Sequence, residues 1–134
     1  MTLVPPRPAP DVETTIERLK AAGEPFAVAI VVRTVAATAA KAGARAVIAA
    51  DGEIVAGWVG GACARGAVKK AGARAIARGE PAFLSIRPRD LLDDAAAEGV
   101  AVAASTCPSR GSLDLFIEPY TRAPRIAVLG ESPV

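Results

Sequence analysis

Histidine is absent from the 134-residue sequence, which removes the commonest general base and the commonest metal-binding side chain. Triads built on histidine, and zinc sites that include it, are therefore excluded within this chain. Cysteine is nearly as scarce. Cys63 and Cys107 are the only two, too few for a disulfide scaffold and too few to complete a zinc site without a third and fourth ligand. Aromatic residues make up 4% of the chain, yet hydrophobic residues reach 51% because 31 positions are alanine. Alanine buries little area, at roughly 25 cal/mol per Å². Such a core is thin, and it leans on close sheet–helix packing or on a partner surface.

Charge of one sign is also missing. Sixteen basic residues against 14 acidic ones leave a net charge of +2, without the basic excess expected of a domain that binds nucleic acid through its phosphates. The longest apolar run, Phe26 to Val32, falls far short of the roughly 20 residues that cross a bilayer. The amino terminus, with Pro5, Pro6, Pro8 and Pro10, lacks the apolar region of a signal peptide. These features predict a soluble, cytoplasmic protein with no membrane span, and the length predicts one domain.

What is present reads as a proline-stiffened lead-in over residues 1–10, a domain over 11–122 and a tail over 123–134. Asp11 is suited to cap a helix that carries Val12, Ile16 and Leu19 on one face and stops at Gly23 and Pro25. Phe26 to Val32 predicts a strand buried on both faces. Ala44 to Ala50 and Glu53 to Val59 predict a hairpin closed by a two-residue type I′ turn at Asp51-Gly52. A helix follows Gly60-Gly61, with Val68, Ala71, Ala75 and Ile76 on one stripe, and ends at Gly79 and Pro81. Strands are expected over Ala82–Ile86, Val100–Ala104 and Leu113–Ile117, with a helix over Asp90–Glu98. The fold class is α/β: a mixed sheet with an embedded β-hairpin, packed with about three helices.

Two segments hold the candidate chemistry. In Gly57-Trp58-Val59-Gly60-Gly61-Ala62-Cys63-Ala64-Arg65 a strand passes through two glycines into a helix that carries a cysteine in its first turn. Unpaired N–H groups and the helix dipole there suit a thiolate on Cys63 or a phosphate, Arg65 adds positive charge, and the glycines allow a ligand close to the backbone. The same residues also serve as an ordinary turn with a small buried cysteine. Trp58 fits the core or a lid. Ser105-Thr106-Cys107-Pro108-Ser109-Arg110-Gly111-Ser112 is a polar loop able to meet an oxyanion or a soft metal, or simply to turn the chain. The basic helix from Arg65 to Arg78 contains no acid and suits an anionic ligand, an acidic partner or plain solvent. Pro124 to Gly130 resembles the first strand of a dinucleotide-binding unit, but a single glycine does not make a phosphate loop.

Val31 to Val59, the following GGACA, and Thr106 to Pro119 (TCPSRGSLDLFIEP) resemble, in that order, the amino-terminal domain of the XdhC/CoxI family. These are accessory proteins for the maturation of xanthine dehydrogenase, carbon monoxide dehydrogenase and related molybdenum hydroxylases. The resemblance implies that the chain binds the molybdenum cofactor (molybdopterin), assists its sulfuration with a cysteine desulfurase and delivers it to a hydroxylase apoenzyme, as a chaperone rather than an independent enzyme. It implies catalytic and metal-contacting roles for Cys63 and Cys107, and cofactor-binding roles for Gly60, Gly61, Cys63, Arg65, Thr106, Cys107 and Arg110. Arg65 stands where the family usually has glutamate. A Rossmann-like domain follows in many relatives, which suits the Pro124–Gly130 strand. Self-association is left open. Two other readings stand beside this one: a non-catalytic module that docks a hydroxylase or a separate nucleotide-binding partner, and a thiol switch between Cys63 and Cys107.

Overall fold

The computed structural model describes residues 10–36, 38–88, 100–105, 111–121 and 130. Most of the lead-in and tail, the expected helix over 90–98 and the loop residues Thr106, Cys107 and Arg110 lie outside them. Helix α1 (Val12–Ala22) begins where Asp11 accepts a hydrogen bond from the Thr14 N–H and ends at Gly23, left-handed at φ 66°. The sheet strands are β1 (Phe26–Val35), β2 (Arg45–Ala49), β3 (Ile54–Gly57), β4 (Ala82–Pro88), β5 (Ala101–Ser105) and β6 (Ser112–Tyr120), with α2 (Ala62–Arg78) between β3 and β4. Two helices are thus seen among the described residues, rather than about three.

The six strands lie in the order β3-β2-β1-β6-β4-β5. Only β4 and β5 pair in parallel, and the other neighbours are antiparallel. The sheet is mixed, as the hairpin within an α/β pattern predicted. Side chains alternate across β1 and divide the core in two. Ala27, Ala29 and Val31 pack with Val68 and Ala75 of α2 and with Leu84, Ile86, Leu113, Leu115 and Ile117. Phe26 and Val28 pack with Ile16 and Leu19 of α1 and with Val47 and Ala56. One helix therefore covers each face, α2 across the sheet and α1 over the β1–β3 half. Alanine is what permits the close approach: Ala27, Ala29 and Ala46 are fully buried.

The hairpin forms where expected, but its turn differs. The Gly52 N–H donates to the Ala49 carbonyl at 2.9 Å, so Ala50 and Asp51 are the central residues. Gly52 is at φ 88°, whereas Asp51 is not among the described residues with positive φ, and a type I′ turn needs both of its central residues there. Asp51 instead accepts from the Glu53 N–H at 2.9 Å. An extra residue follows on β3, seen as a register shift against Val47 and Ile48. The aspartate drives the difference, because its carboxylate satisfies a loop N–H that a tighter turn would have used in the ladder. No described helix is long and apolar enough to cross a membrane.

Candidate functional site

The chain leaves β3, passes through Trp58 and Val59 and turns at Gly60 into α2. Gly60 has φ 144°, and a Cβ there would stand 2.8 Å from the Ala64 Cβ, so the turn requires glycine. Gly61 is different. It is the N-cap of α2 at φ −72°, ψ −166°, with no side-chain hydrogen bond capping the helix, and a Cβ on it would meet nothing within 4 Å. Neither backbone nor packing calls for glycine at that position.

The open space beside Gly61 is a cavity of about 100 Å³ lined by Thr38, Ala39 and Ala40 of the β1–β2 loop, Gly60, Gly61, Cys63 and Ala64, and Ile86, Ser105, Gly111 and Leu113. It lies outside the carboxyl ends of the parallel strands, where open α/β sheets place their ligands. Cys63 occupies the second position of α2; its thiol is partly buried and not disulfide-bonded. The cavity also touches both described ends of the 106–110 loop, Ser105 and Gly111. The two segments singled out in the sequence thus converge on one hollow, although Thr106, Cys107 and Arg110 themselves lie outside the described residues. The β1–β2 loop lies within the Val31–Val59 segment that resembles the family, but none of its residues was singled out for chemistry. Its marker is backbone strain, since Ala36 at φ 61° is the one non-glycine with positive φ among the described residues.

Arg65 does not join Cys63. It lines a separate cavity of about 220 Å³ with Pro10, Ile54, Val55, Ala56, Gly57, Trp58 and Val59. Two positions along an α-helix turn a side chain by about 200°, which separates the pair. Trp58 is neither core nor closed lid, being 49% exposed. No group of three or more metal-binding side chains occurs among the described residues.

A family model described as the XdhC and CoxI family matches residues 19–87, slightly more than half of the chain. The chain belongs to the XdhC and CoxI family. The match takes in β1, the hairpin, Gly60, Gly61, Cys63, Arg65 and α2, and stops before the Thr106–Arg110 loop. A solved Bacillus halodurans structure described as a xanthine dehydrogenase shares the fold, with a TM-score of 0.55 at 20% identity over 78% of this chain. This XdhC and CoxI family chain spans 29% of that structure's chain. No curated protein matches it.

Proposed function

We propose that this domain handles the molybdenum cofactor during maturation of a molybdenum hydroxylase such as xanthine or carbon monoxide dehydrogenase, acting with a cysteine desulfurase as sulfur donor. The carrying observation is the position of Cys63, at the first turn of α2 inside a cavity beside a glycine whose missing side chain the fold does not need. Family membership and the likeness to a structure described as a xanthine dehydrogenase support the client class.

The residues suit such a group. Thiolate sulfur is a soft donor, and the uncapped amino terminus of α2, with no acidic residue in its first turn, favours an anion. When bound, the cofactor would supply a molybdenum centre able to take a sulfur ligand. Cys63 would hold or present sulfur at the cavity, and the open space at Gly61 would let one end of the group approach the backbone. Thr106, Cys107 and Arg110, which lie in sequence between Ser105 and Gly111, are the further residues assigned to this role.

Purification from cofactor-replete cells, followed by molybdenum mass spectrometry and pterin fluorescence, tests this reading. Wild type should carry both signals, and Cys63→Ala and Cys107→Ala should lose most of the molybdenum. A wild-type protein devoid of both signals would overturn it.

Docking without cofactor chemistry is the second reading. It is favoured by Phe83, 48% exposed and packed at 5.8 Å against Phe116. These two lie on the α1 face of the sheet, beyond the half that α1 covers. A hydroxylase complex that survives both cysteine substitutions but is lost in Phe83→Glu would favour docking.

A further inference from the structure

Phe83 lies on β4, a strand paired on both edges, yet it is 48% exposed. The cause is the placing of the helices: α1 packs on β2, β3 and the start of β1, while α2 takes the opposite face with Leu84 and Ile86. Parallel crossovers that step in one direction keep to one face of a sheet, and α2 marks that face here. We propose that the open face of β6 and β4 is a self-association surface, on which a second copy of this chain stacks about a two-fold axis. The inference is independent of Cys63, and it gives to a second copy the face on which the docking reading rests.

Strand register sets the pattern of this face. Its central row is Ile30, Phe116 and Phe83, with the two rings 5.8 Å apart. Two residues toward the start of β6 comes a polar row of Arg33, Asp114 and Ser85. Arg87 joins that row, because its Nε donates to Ser85 Oγ at 2.8 Å. Asp114 is already paired with Arg33, whose Nε donates to it at 2.7 Å, so the row keeps the positive charge of Arg87. Two residues the other way from Phe116, β6 presents the exposed Glu118. Neither Arg87 nor Glu118 takes part in the ion pairs among the described residues.

An isologous contact needs a surface that is its own complement. A two-fold axis along the aromatic row reverses the strand direction, so the row meets itself. Glu118 of each copy then comes level with the polar row of the other, beside Arg87, and the two signs meet twice. Opposite charges placed on either side of one apolar row are what select a second copy over a hydroxylase. With strands about 4.8 Å apart and about 3.3 Å per residue, the face spans roughly 15 Å by 20 Å. Such a contact falls below the roughly 1,200 Å² of total buried area that marks stable complexes. The association is therefore weak and reversible.

Sedimentation velocity of the full chain, from micromolar to millimolar concentration, tests this. Wild type should rise from monomer to dimer mass and stop there. Phe83→Glu should weaken association by about thirtyfold, with circular dichroism unchanged because the ring is already half in water. Arg87→Glu and Glu118→Arg should each weaken it about tenfold, since each sets like charges against one another in both contacts. Mixing these two variants should bring association back close to wild type, because one contact is then native and the other has its charges exchanged. Where Arg87→Glu disturbs the fold, Arg87→Gln keeps a donor for Ser85 and should lose the salt dependence of wild-type association. Cys63→Ala should associate as wild type even where it empties the protein of molybdenum, so the two readings fail separately. The proposal is overturned if the wild type stays monomeric at every concentration, if Phe83→Glu associates like wild type, or if the mixed variants associate no better than each alone.

Discussion

Gly72 of α2 packs directly against Ile48 of β2. A Cβ added to Gly72 would stand 2.5 Å from Ile48 Cδ1, 2.9 Å from its Cγ2 and 3.2 Å from its Cβ. Ile48 is fully buried, and a β-branched side chain has little rotamer freedom with which to retreat. Gly72→Ala gains roughly 1 kcal/mol of helix propensity but overpacks the contact by about 1–3 kcal/mol. The expected outcome is a net loss on the order of 1 kcal/mol in urea unfolding. In an Ile48→Ala background the alanine at 72 should become stabilising instead, because it fills space that the isoleucine vacates. A double-mutant cycle reads this change of sign.

The two glycines of the turn into α2 should behave oppositely. Gly60→Ala, with its left-handed φ and its clash at Ala64, should cost about 1–3 kcal/mol. Gly61→Ser should leave stability within about 0.5 kcal/mol of wild type, since serine and glycine are both good N-caps. The serine should nevertheless impair pterin and molybdenum retention by filling the space beside Cys63. Thermal unfolding together with the cofactor assay separates the two effects.

Asp114 joins three strands on the face that carries α1. It accepts from Arg33 Nε at 2.7 Å and from Ser85 Oγ at 2.7 Å, while Arg87 Nε donates to the same serine oxygen at 2.8 Å. Arg33 is largely exposed, so its ion pair contributes little. The buried Ser85 is the sensitive partner. Asp114→Ala should cost about 1–3 kcal/mol by leaving that hydroxyl without its acceptor, and Arg33→Ala should cost under about 1 kcal/mol. Chemical denaturation of both variants checks the ranking.

Tyr120 makes stability fall at alkaline pH. Burial raises its pKa above the ordinary value of 10.0, and the Glu118 carboxylate, which accepts its hydroxyl hydrogen bond at 3.2 Å, raises it further. The folded state therefore keeps the phenolic proton longer than the unfolded chain does. The resulting stability is fully present below about pH 10 and is lost as pH rises from there through the higher folded value. Because Tyr120 is the sole tyrosine, the ultraviolet absorbance of tyrosinate follows it without interference. Tyr120→Phe should keep the stack on Phe26, whose ring lies 4.8 Å away, and should flatten this part of the stability profile.

Legibility in the sequence followed the range of the interactions. Asp11, Gly23 and Gly79 marked helix ends because caps are satisfied within a few residues, and the hairpin was visible from its Asp-Gly and flanking apolar runs. Turn type was missed because it depends on where the Asp51 carboxylate finds an N–H. Strand order was not legible, since the β1–β6 pairing joins residues that stand far apart in the chain, from Val35 with Ser112 to Phe26 with Tyr120. The glycine turn with Cys63 stood out as a strand-to-helix junction, and its convergence with the ends of the 106–110 loop followed from topology. Grouping Arg65 with Cys63 came from proximity in sequence, and the pitch of the helix undoes it.

The pairing of Phe26 with Tyr120 at the end of the central β1–β6 ladder sets a schedule for synthesis. β1 emerges early, finds β2 quickly through a local antiparallel pairing, and then presents its other edge unpaired until β6 leaves the ribosome. Throughout that interval the fully apolar centre of β1 is an open template for any extended chain nearby. Nascent copies on one messenger are thus at greatest risk of mutual misassembly while the second half is being translated, and the closing strand ends that exposure.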